Sequence, residues 1–423
     1  MSTAVAHVES TERIDRPVLA LVDYITYMGP VEMLVELAAG EFDYLFIFSM
    51  RTRWDARTAQ DLRDLGFRVE LLDDVVREPS RVAHCAGITS IGDQTLRETA
   101  RIAEAVGLRH YHSPAVADTI SEKVRQRRAF AAHGLPQPAW AEIDAGEDGW
   151  WERVPEGLRS GSMVLKPSRG WGSSGVVRVT DLDQAREVIG TDDGLWLLEG
   201  EIVGGAHPLG DWLSDCLSVQ TMTVGGVTHL FGVMDKPPTA PPFKPTGDLV
   251  PSQLSADLRR RCEEVALGAV AALGIRNGWC HTELKLGADG PEILEVNGRM
   301  TSTIHDACVR LYGTAPIRIW FDVVLGRRPE VPEFDYGSRI VCQYLAPAPR
   351  TPVPLRAAHR IADELRTLPQ VFDVRILDTD ALDGDSGTSV TTAPLAVWLE
   401  VRDSAELRTS LETVKESLAE IGL

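Results

Sequence analysis

Lys166-Pro167-Ser168-Arg169-Gly170-Trp171-Gly172-Ser173-Ser174-Gly175-Val176 joins a cation to a Gly/Ser-rich loop, directly after the apolar run Met163-Val164-Leu165. A short apolar strand would hold Lys166 rigidly. Gly170, Gly172 and Gly175 let the backbone turn sharply and bring its N–H groups close to phosphate oxygens. The lysine precedes the glycines and no helix-opening Gly-Lys-Ser/Thr follows, so this is not a Walker loop. Taken alone, the segment reads equally well as a Gly/Ser surface turn that happens to follow a lysine.

Further along, His281-Thr282-Glu283-Leu284-Lys285 and Glu292-Ile293-Leu294-Glu295-Val296-Asn297 alternate in character on either side of Gly287-Ala288-Asp289-Gly290. Alternation flanking turn residues predicts a β-hairpin. A turn centred on Asp289 sets Glu283 opposite Glu295, and Asn297 shares the face of Glu295. Like charges opposed across a hairpin destabilise it unless something neutralises them. Two carboxylates and an amide oxygen make a hard-oxygen set suited to Mg²⁺ held together with phosphates. The plain alternative is a solvated polar face on an edge hairpin. The Ile, Leu and Val between the acidic residues predict burial of the other face and weigh against it.

With these motifs in view, residues 121–310 resemble the ATP-grasp superfamily, and within it the carboxylate–amine ligases of the L-amino-acid ligase type. Ser121-Glu122-Lys123, followed by Gly134-Leu135-Pro136-Gln137-Pro138, resembles the first nucleotide lysine and the segment after it. Val164-Leu165-Lys166-Pro167-Ser168 resembles the second lysine and the loop over the phosphates. Leu197-Leu198-Glu199-Gly200-Glu201-Ile202-Val203-Gly204-Gly205 resembles the hinge strand along the adenine edge. Each motif alone is unspecific; their shared order is not. The resemblance implies an ATP-grasp fold of α/β and α+β character, with an N-terminal parallel-sheet domain and a small C-terminal α+β lobe. It implies a nucleotide site at Lys123, Lys166, Ser173, Ser174, Gly175, Glu199, Glu201 and Ile202, and a metal site at Glu283, Glu295 and Asn297. Arg299 and Lys166 take catalytic roles, and Arg299, Asp248, Lys236 and Thr303 face the substrates. The activity implied is ATP-dependent amide or peptide formation through an acyl phosphate. ATP and Mg²⁺ are required, with Mn²⁺ as a substitute, and the substrates are a small carboxylate and an amine of the amino-acid class. A homodimer is compatible with this reading.

The sequence departs from the family at several places. Gly298 follows the metal asparagine where relatives carry proline, and Thr301-Ser302 stands where a glycine pair is usual. In Phe243-Lys244-Pro245-Thr246-Gly247-Asp248, Asp248 replaces a frequent histidine. An acidic wall beside the small hydroxyl residues Thr301, Ser302 and Thr303 leads us to expect a cationic, polar or non-standard amine over a small apolar one. An ATP-grasp phosphotransferase or carboxylase is an alternative of the same fold. A non-catalytic nucleotide-binding regulator is an alternative of another class, disfavoured by the complete Glu283, Glu295, Asn297 and Arg299 set.

Composition sets the outer bounds. The 423 residues exceed one ordinary domain, and 44% hydrophobic with 25% charged residues is globular rather than disordered. A formal net charge of −19 disfavours binding to nucleic acid or an anionic membrane, which need clustered cations. Arg125, Arg127, Arg128 and residues 259–261 read as solvated helix faces. No apolar stretch approaches the roughly 20 residues of a membrane span, and the polar start carries no signal-type segment. Six scattered cysteines without a Cys-x-x-Cys pair read as reduced residues of a cytoplasmic protein. His110 and His112 form a His-x-His pair with no third ligand nearby, so a strand end is the favoured reading over a metal site.

Along the chain we expect a polar tail (1–16), an N-terminal α/β domain (17–115), a small lid subdomain (116–194), a large subdomain with the metal hairpin (195–330) and a C-terminal α+β lobe (331–423). In the first domain, strands over 18–22, 44–48 and 67–72 alternate with helices over 33–39, 56–65 and 96–106, a βαβα rhythm that implies a parallel sheet. In the middle lie strands over 164–166 and 176–179, a strand pair around Gly225-Gly226, a Pro-rich loop over 237–251 and a helix stopped by Gly274. The lobe reads as strands over 339–345, 371–377 and 395–401, a helix over 355–368, a polar loop over 378–388, and a last helix capped by Ser404 with Glu406 in its first turn.

Overall fold

Apolar runs become buried strands of three sheets in the computed structural model, which describes residues 16–23, 31–51, 53–108, 112–170, 172–241, 243–333, 337, 339–383 and 393–423. Most of the expected tail, His110, Trp171 and residues 384–388 of the polar loop lie outside the described residues. The first unit alternates β1 (Val18–Val22), α1 (Val31–Ala38), β2 (Asp43–Phe48), α2 (Arg53–Asp64), β3 (Arg68–Leu71), α3 (Leu72–Arg77), β4 (Gly87–Ser90) and α4 (Leu96–Val106). Its strands are parallel in the order β3-β2-β1-β4. Parallel strands are covered on both faces, which is why β1 and β2 read as continuous apolar runs. β4 has no such run, yet all four of its residues are buried, so composition did not reveal it.

The second unit holds α5 (Pro114–Ile120), α6 (Lys123–Ala132), β5 (Trp140–Asp144), β6 (Ser160–Pro167), β7 (Val177–Asp181), α7 (Leu182–Ile189) and β8 (Leu195–Gly200). It forms an antiparallel sheet in the order β5-β8-β6-β7. Next come β9 (Cys216–Val224), β10 (Val227–Asp235), β11 (Gly247–Val250), α8 (Ala256–Ala272), β12 (Gly278–Gly287), β13 (Gly290–Asn297), α9 (Ser302–Tyr312) and α10 (Pro316–Val324). The chain ends with β14 (Ile340–Leu345), α11 (Leu355–Leu365), β15 (Val371–Ile376), β16 (Leu395–Val401) and α12 (Ser404–Ala419). Strands from both stretches form one eight-stranded antiparallel sheet, β13-β12-β9-β10-β11-β14-β16-β15. β11 is the link, pairing Asp235 with Leu249 on one side and Asp248 with Gln343 on the other.

Two local expectations need correction. The Pro-rich loop contains β11, because Gly247-Asp248-Leu249-Val250 is fully buried between two strands. The N-cap of α12 is Asp403, whose carboxylate accepts the Glu406 amide, so Ser404 is already helical. Gly274 does end α8, at φ +69°.

α10 lies against the parallel sheet, with Phe321 edge-on to Phe42 and Tyr44. At its end Val324 meets β4 so closely that a Cβ on Gly87 would sit 2.2 Å from the Val324 carbonyl oxygen. Gly87→Ala should therefore lower stability by about 1–3 kcal/mol through overpacking, read as a lower denaturant midpoint. An unchanged midpoint would mean that α10 moves aside freely.

Candidate active site

The acidic hairpin forms as expected, but by a different count. Gly287 pairs with Gly290, so the turn is the two residues Ala288-Asp289, and a bulge leaves Leu294 unpaired. The bulge restores the register, so Glu283 still faces Glu295 and His281 faces Asn297. The two carboxylates do not stand unneutralised. Glu283 Oε1 receives His281 Nε2 at 3.0 Å and lies 3.4 Å from Lys236 Nζ. Glu295 Oε2 lies 3.2 Å from Lys123 Nζ. Burial raises the Glu283 carboxyl, but Lys236, His281 and Arg299 outweigh it and hold it well below the usual range. No group of three His, Cys, Asp or Glu side chains poised for a metal occurs among the described residues. The hairpin instead pairs two carboxylates, each with one oxygen outside these contacts, with the amide of Asn297. That donor set fits an oxygen-seeking divalent ion shared with a ligand's phosphates.

Lys123 opens α6, whose first amides are taken by Ser168: Lys123 N donates to the Ser168 carbonyl at 2.8 Å and Val124 N to its hydroxyl at 3.4 Å. This fixes Lys123 beside the glycine loop, where its Nζ donates to the Gly170 carbonyl at 2.9 Å. One helical turn on, Arg127 shares the face of Lys123. It is 1% exposed, which overturns its reading as part of a solvated face; Arg125 and Arg128 are exposed. Arg127 Nε pairs with Glu199 Oε1, and its Nη2 donates at 2.6 Å to the carbonyl of the bulged Leu294. Lys166, delivered by β6, completes a buried triad, its Nζ 2.6 Å from Glu199 Oε2. Burial raises Glu199, but Arg127 and Lys166 outweigh it and hold the carboxyl below the usual range. Burial leaves Lys166 below the ordinary lysine range. Two cations on one carboxylate leave a buried excess of positive charge, suited to an anion.

The expected adenine-edge residues divide. The Glu199 side chain is spent in the triad. The Glu201 carboxylate is bound by Arg178, with Nη2 to Oε1 at 2.6 Å, and its amide donates to the Ser162 carbonyl at 3.0 Å. Ile202 is buried against the hairpin end. Here the chain crosses from the lid sheet to the large sheet, and a Cβ on Gly205 would sit 1.9 Å from the Leu286 carbonyl oxygen. The glycines are thus needed for close passage. In the glycine loop, Ser173 (φ +58°) donates its hydroxyl at 3.0 Å to the carbonyl of Phe243 (φ +61°). Ser174 and Gly175 are exposed beside it.

The residues expected to face the substrates cluster beyond the hairpin. Lys236 Nζ lies 3.2 Å from Asp248 Oδ1 as well as near Glu283. Burial alone would lower the Lys236 ammonium, but the two carboxylates raise it above the ordinary lysine range. Asp248 is therefore offset by Lys236 and is not the bare acidic wall expected. Thr303 donates to Gln343 at 3.0 Å and approaches Asp248 at 3.5 Å. Thr301, Ser302 and Thr303 are all buried.

Arg299 is aimed by a residue that sequence reading missed. Asp93 accepts Arg299 Nε at 2.8 Å through Oδ2 and the Gly298 amide at 2.9 Å through Oδ1. The partners lie 206 positions apart, and nothing local to Asp93 announces the contact. His281 was also without an assigned role. Trp279 Nε1 donates to Gln220 Oε1 at 3.2 Å, the Gln220 amide nitrogen meets His281 Nδ1, and His281 Nε2 reaches Glu283. Because indole only donates, this chain fixes which His281 nitrogen carries the proton.

Residues 120–303 match the ATP-grasp domain family, and the three-sheet architecture is the ATP-grasp fold. The chain is similar to carnosine synthase 1 of Homo sapiens, 29% identical over 288 residues, which are 62% of this chain and 33% of that protein. It is also similar to the alanine–anticapsin ligase of Bacillus subtilis strain 168, 24% identical over 287 residues, or 62% of this chain and 59% of that protein. The chain thus spans between a third and three-fifths of the length of these relatives. Among solved structures, an L-amino acid ligase from Bacillus licheniformis aligns with a TM-score of 0.74 at 20% identity, over 95% of this chain and 98% of that one.

Proposed function

We propose that this ATP-grasp chain is a carboxylate–amine ligase that forms an amide or peptide bond and releases ADP and phosphate. The reading is carried by the convergence of cations on the paired carboxylates: Glu283 faces Glu295, Lys123 and Lys166 are charge neighbours of Glu295, and Arg299 is one of Glu283. A substrate carboxylate oxygen attacks the γ-phosphorus of ATP; the bond to the bridging oxygen breaks and ADP leaves with that electron pair. The amine lone pair then attacks the acyl carbon, phosphate departs with the C–O pair, and the amine loses its proton. Lys123 and Lys166 bind the phosphates, supported by the positive excess of the Arg127–Glu199–Lys166 triad. Arg299, held by Asp93, presents its planar fork to carboxylate and acyl-phosphate oxygens. The loop from Gly170 to Gly175 closes over the phosphates and excludes water, which would otherwise hydrolyse the acyl phosphate. Glu283, Glu295 and Asn297 would hold Mg²⁺, which neutralises charge on the transferring phosphoryl group; Mn²⁺ prefers similar oxygen geometry. We take the substrates to be of the amino-acid class and the setting to be cytoplasmic. No described helix is long and apolar enough to cross a membrane, and none of the six cysteines is in a disulfide.

The test is a screen of amino-acid pairs with ATP and Mg²⁺, followed by nucleotide chromatography and a search for new amide masses. ADP and phosphate are the expected products. AMP with pyrophosphate as the main outcome would replace the acyl phosphate with an adenylate and sink the proposal.

A further inference from the structure

The parallel sheet reverses its strand order between β1 and β4, and open sheets of this kind take ligands in the crevice beyond the strand ends at such a point. A cavity of about 20 Å³ lies there, between Ser90 at the end of β4 and Trp279, Arg299, Ile317, Trp320 and Phe321. We propose that this cavity receives the side chain of the carboxylate substrate, that the side chain is short and apolar, and that Arg299 at the wall holds the carboxylate. The inference rests on the ligase reading and narrows its substrate class.

The walls decide the chemistry. Among the described residues of the lining, Arg299 is the only one that is always charged. Trp320 Nε1 donates to Thr89 Oγ1 at 2.9 Å and Trp279 Nε1 to Gln220, so both indole donors are engaged and the rings offer carbon surface. The Ser90 hydroxyl is spent on the Gly92 carbonyl at 2.9 Å. His112, also in the lining, is buried, and burial pushes its ring down to about 4, so it is neutral near pH 7 and gives no second anion site. Carbon atoms of Trp279, Met300, Ile317, Trp320 and Phe321 make up most of this wall, so a hydroxyl or amide entering it exchanges water for few partners, which opposes binding. The volume is that of roughly one or two water-sized groups, enough for a methyl or an ethyl group. Trp279 also begins the chain through Gln220 and His281 to Glu283. A side chain large enough to displace it would disturb the metal carboxylate too.

Hydroxylamine can stand in for the amine, because it converts any acyl phosphate to a hydroxamate. With ATP and Mg²⁺, alanine and 2-aminobutyrate should exceed serine, asparagine and phenylalanine in kcat/KM by about tenfold or more. Trp320→Phe and Ile317→Ala should shift the ranking toward leucine and phenylalanine by about tenfold, with KM for ATP unchanged. Preference for serine or asparagine in the parent overturns the inference alone, as does an unchanged ranking in folded variants. The parent ranking decides the matter if neither variant folds. Release of ADP with none of these acids overturns the ligase reading and this inference together.

Discussion

Glu295→Ala should reduce Mg²⁺-dependent ATP turnover by roughly a thousandfold or more, the scale of losing a principal stabiliser of a transferring phosphoryl group. The parent hairpin places two carboxylates face to face, an arrangement that is repulsive by itself and tolerated because each meets a lysine. On the proposed function, Lys123 would turn to the phosphate oxygens of ATP, and the two carboxylates would be left to hold the divalent ion. The substitution should leave the fold largely intact, because Glu295 lies on an edge strand, its side chain is partly exposed, and Lys123 keeps the Gly170 carbonyl as a partner. Circular dichroism, the thermal midpoint and ADP release measured on the same preparation separate the two effects. A folded variant with near-normal Mg²⁺-dependent consumption of ATP would remove Glu295 from the ligand set.

What was legible in the sequence follows from how local the signal was. The hairpin could be read because alternation and turn residues are adjacent in the chain, although the expected pairing is reached through a two-residue turn and a bulge at Leu294. The motifs around Lys123 and Lys166 singled them out as candidates, and the structure sets Lys123 beside the glycine loop and Lys166 in the buried triad. Arg127 was not: a charged residue on a polar helix reads as solvated until the helix is known to press its Lys123 face against a hairpin some 170 positions away, as the Gln126 contact to Val296 does. Asp93 and Gln220 belong to the same class, since their partners are remote and their neighbours unremarkable in composition. β4 and β5 escaped for another reason. Their short mixtures of small, polar and apolar residues form strands only because a neighbouring strand offers an edge, a tertiary override of weak local preference. The Pro-rich loop hid β11 for the same reason.

Arg127→Met should destabilise the protein by about 3–5 kcal/mol, because it removes one member of a buried charge cluster and leaves Glu199 Oε1 and the Leu294 carbonyl buried without that donor. Arg127 is the more exacting cation of the triad, since it binds Glu199 and also satisfies the carbonyl freed at the Leu294 bulge. Glu199→Gln should have an effect of similar size in the opposite electrostatic sense, stranding Arg127 and Lys166 as adjacent buried cations. The double variant should lose less than the sum, with a coupling of at least about 1 kcal/mol, as expected of residues in one network. The pH dependence has a defined sign. The Glu199 carboxyl is held below its ordinary value in the folded state, so its contribution is complete above the unfolded glutamate range near pH 4.3 and is lost as pH falls through the folded value. The gap in stability between parent and Arg127→Met should therefore be flat from pH 6 to 8 and shrink below about pH 4. Denaturant midpoints of the parent, both single variants and the double variant, taken across that range, test the scheme. Strictly additive losses, or a gap that widens on acidification, would show that Glu199 is not ionised between its two cations.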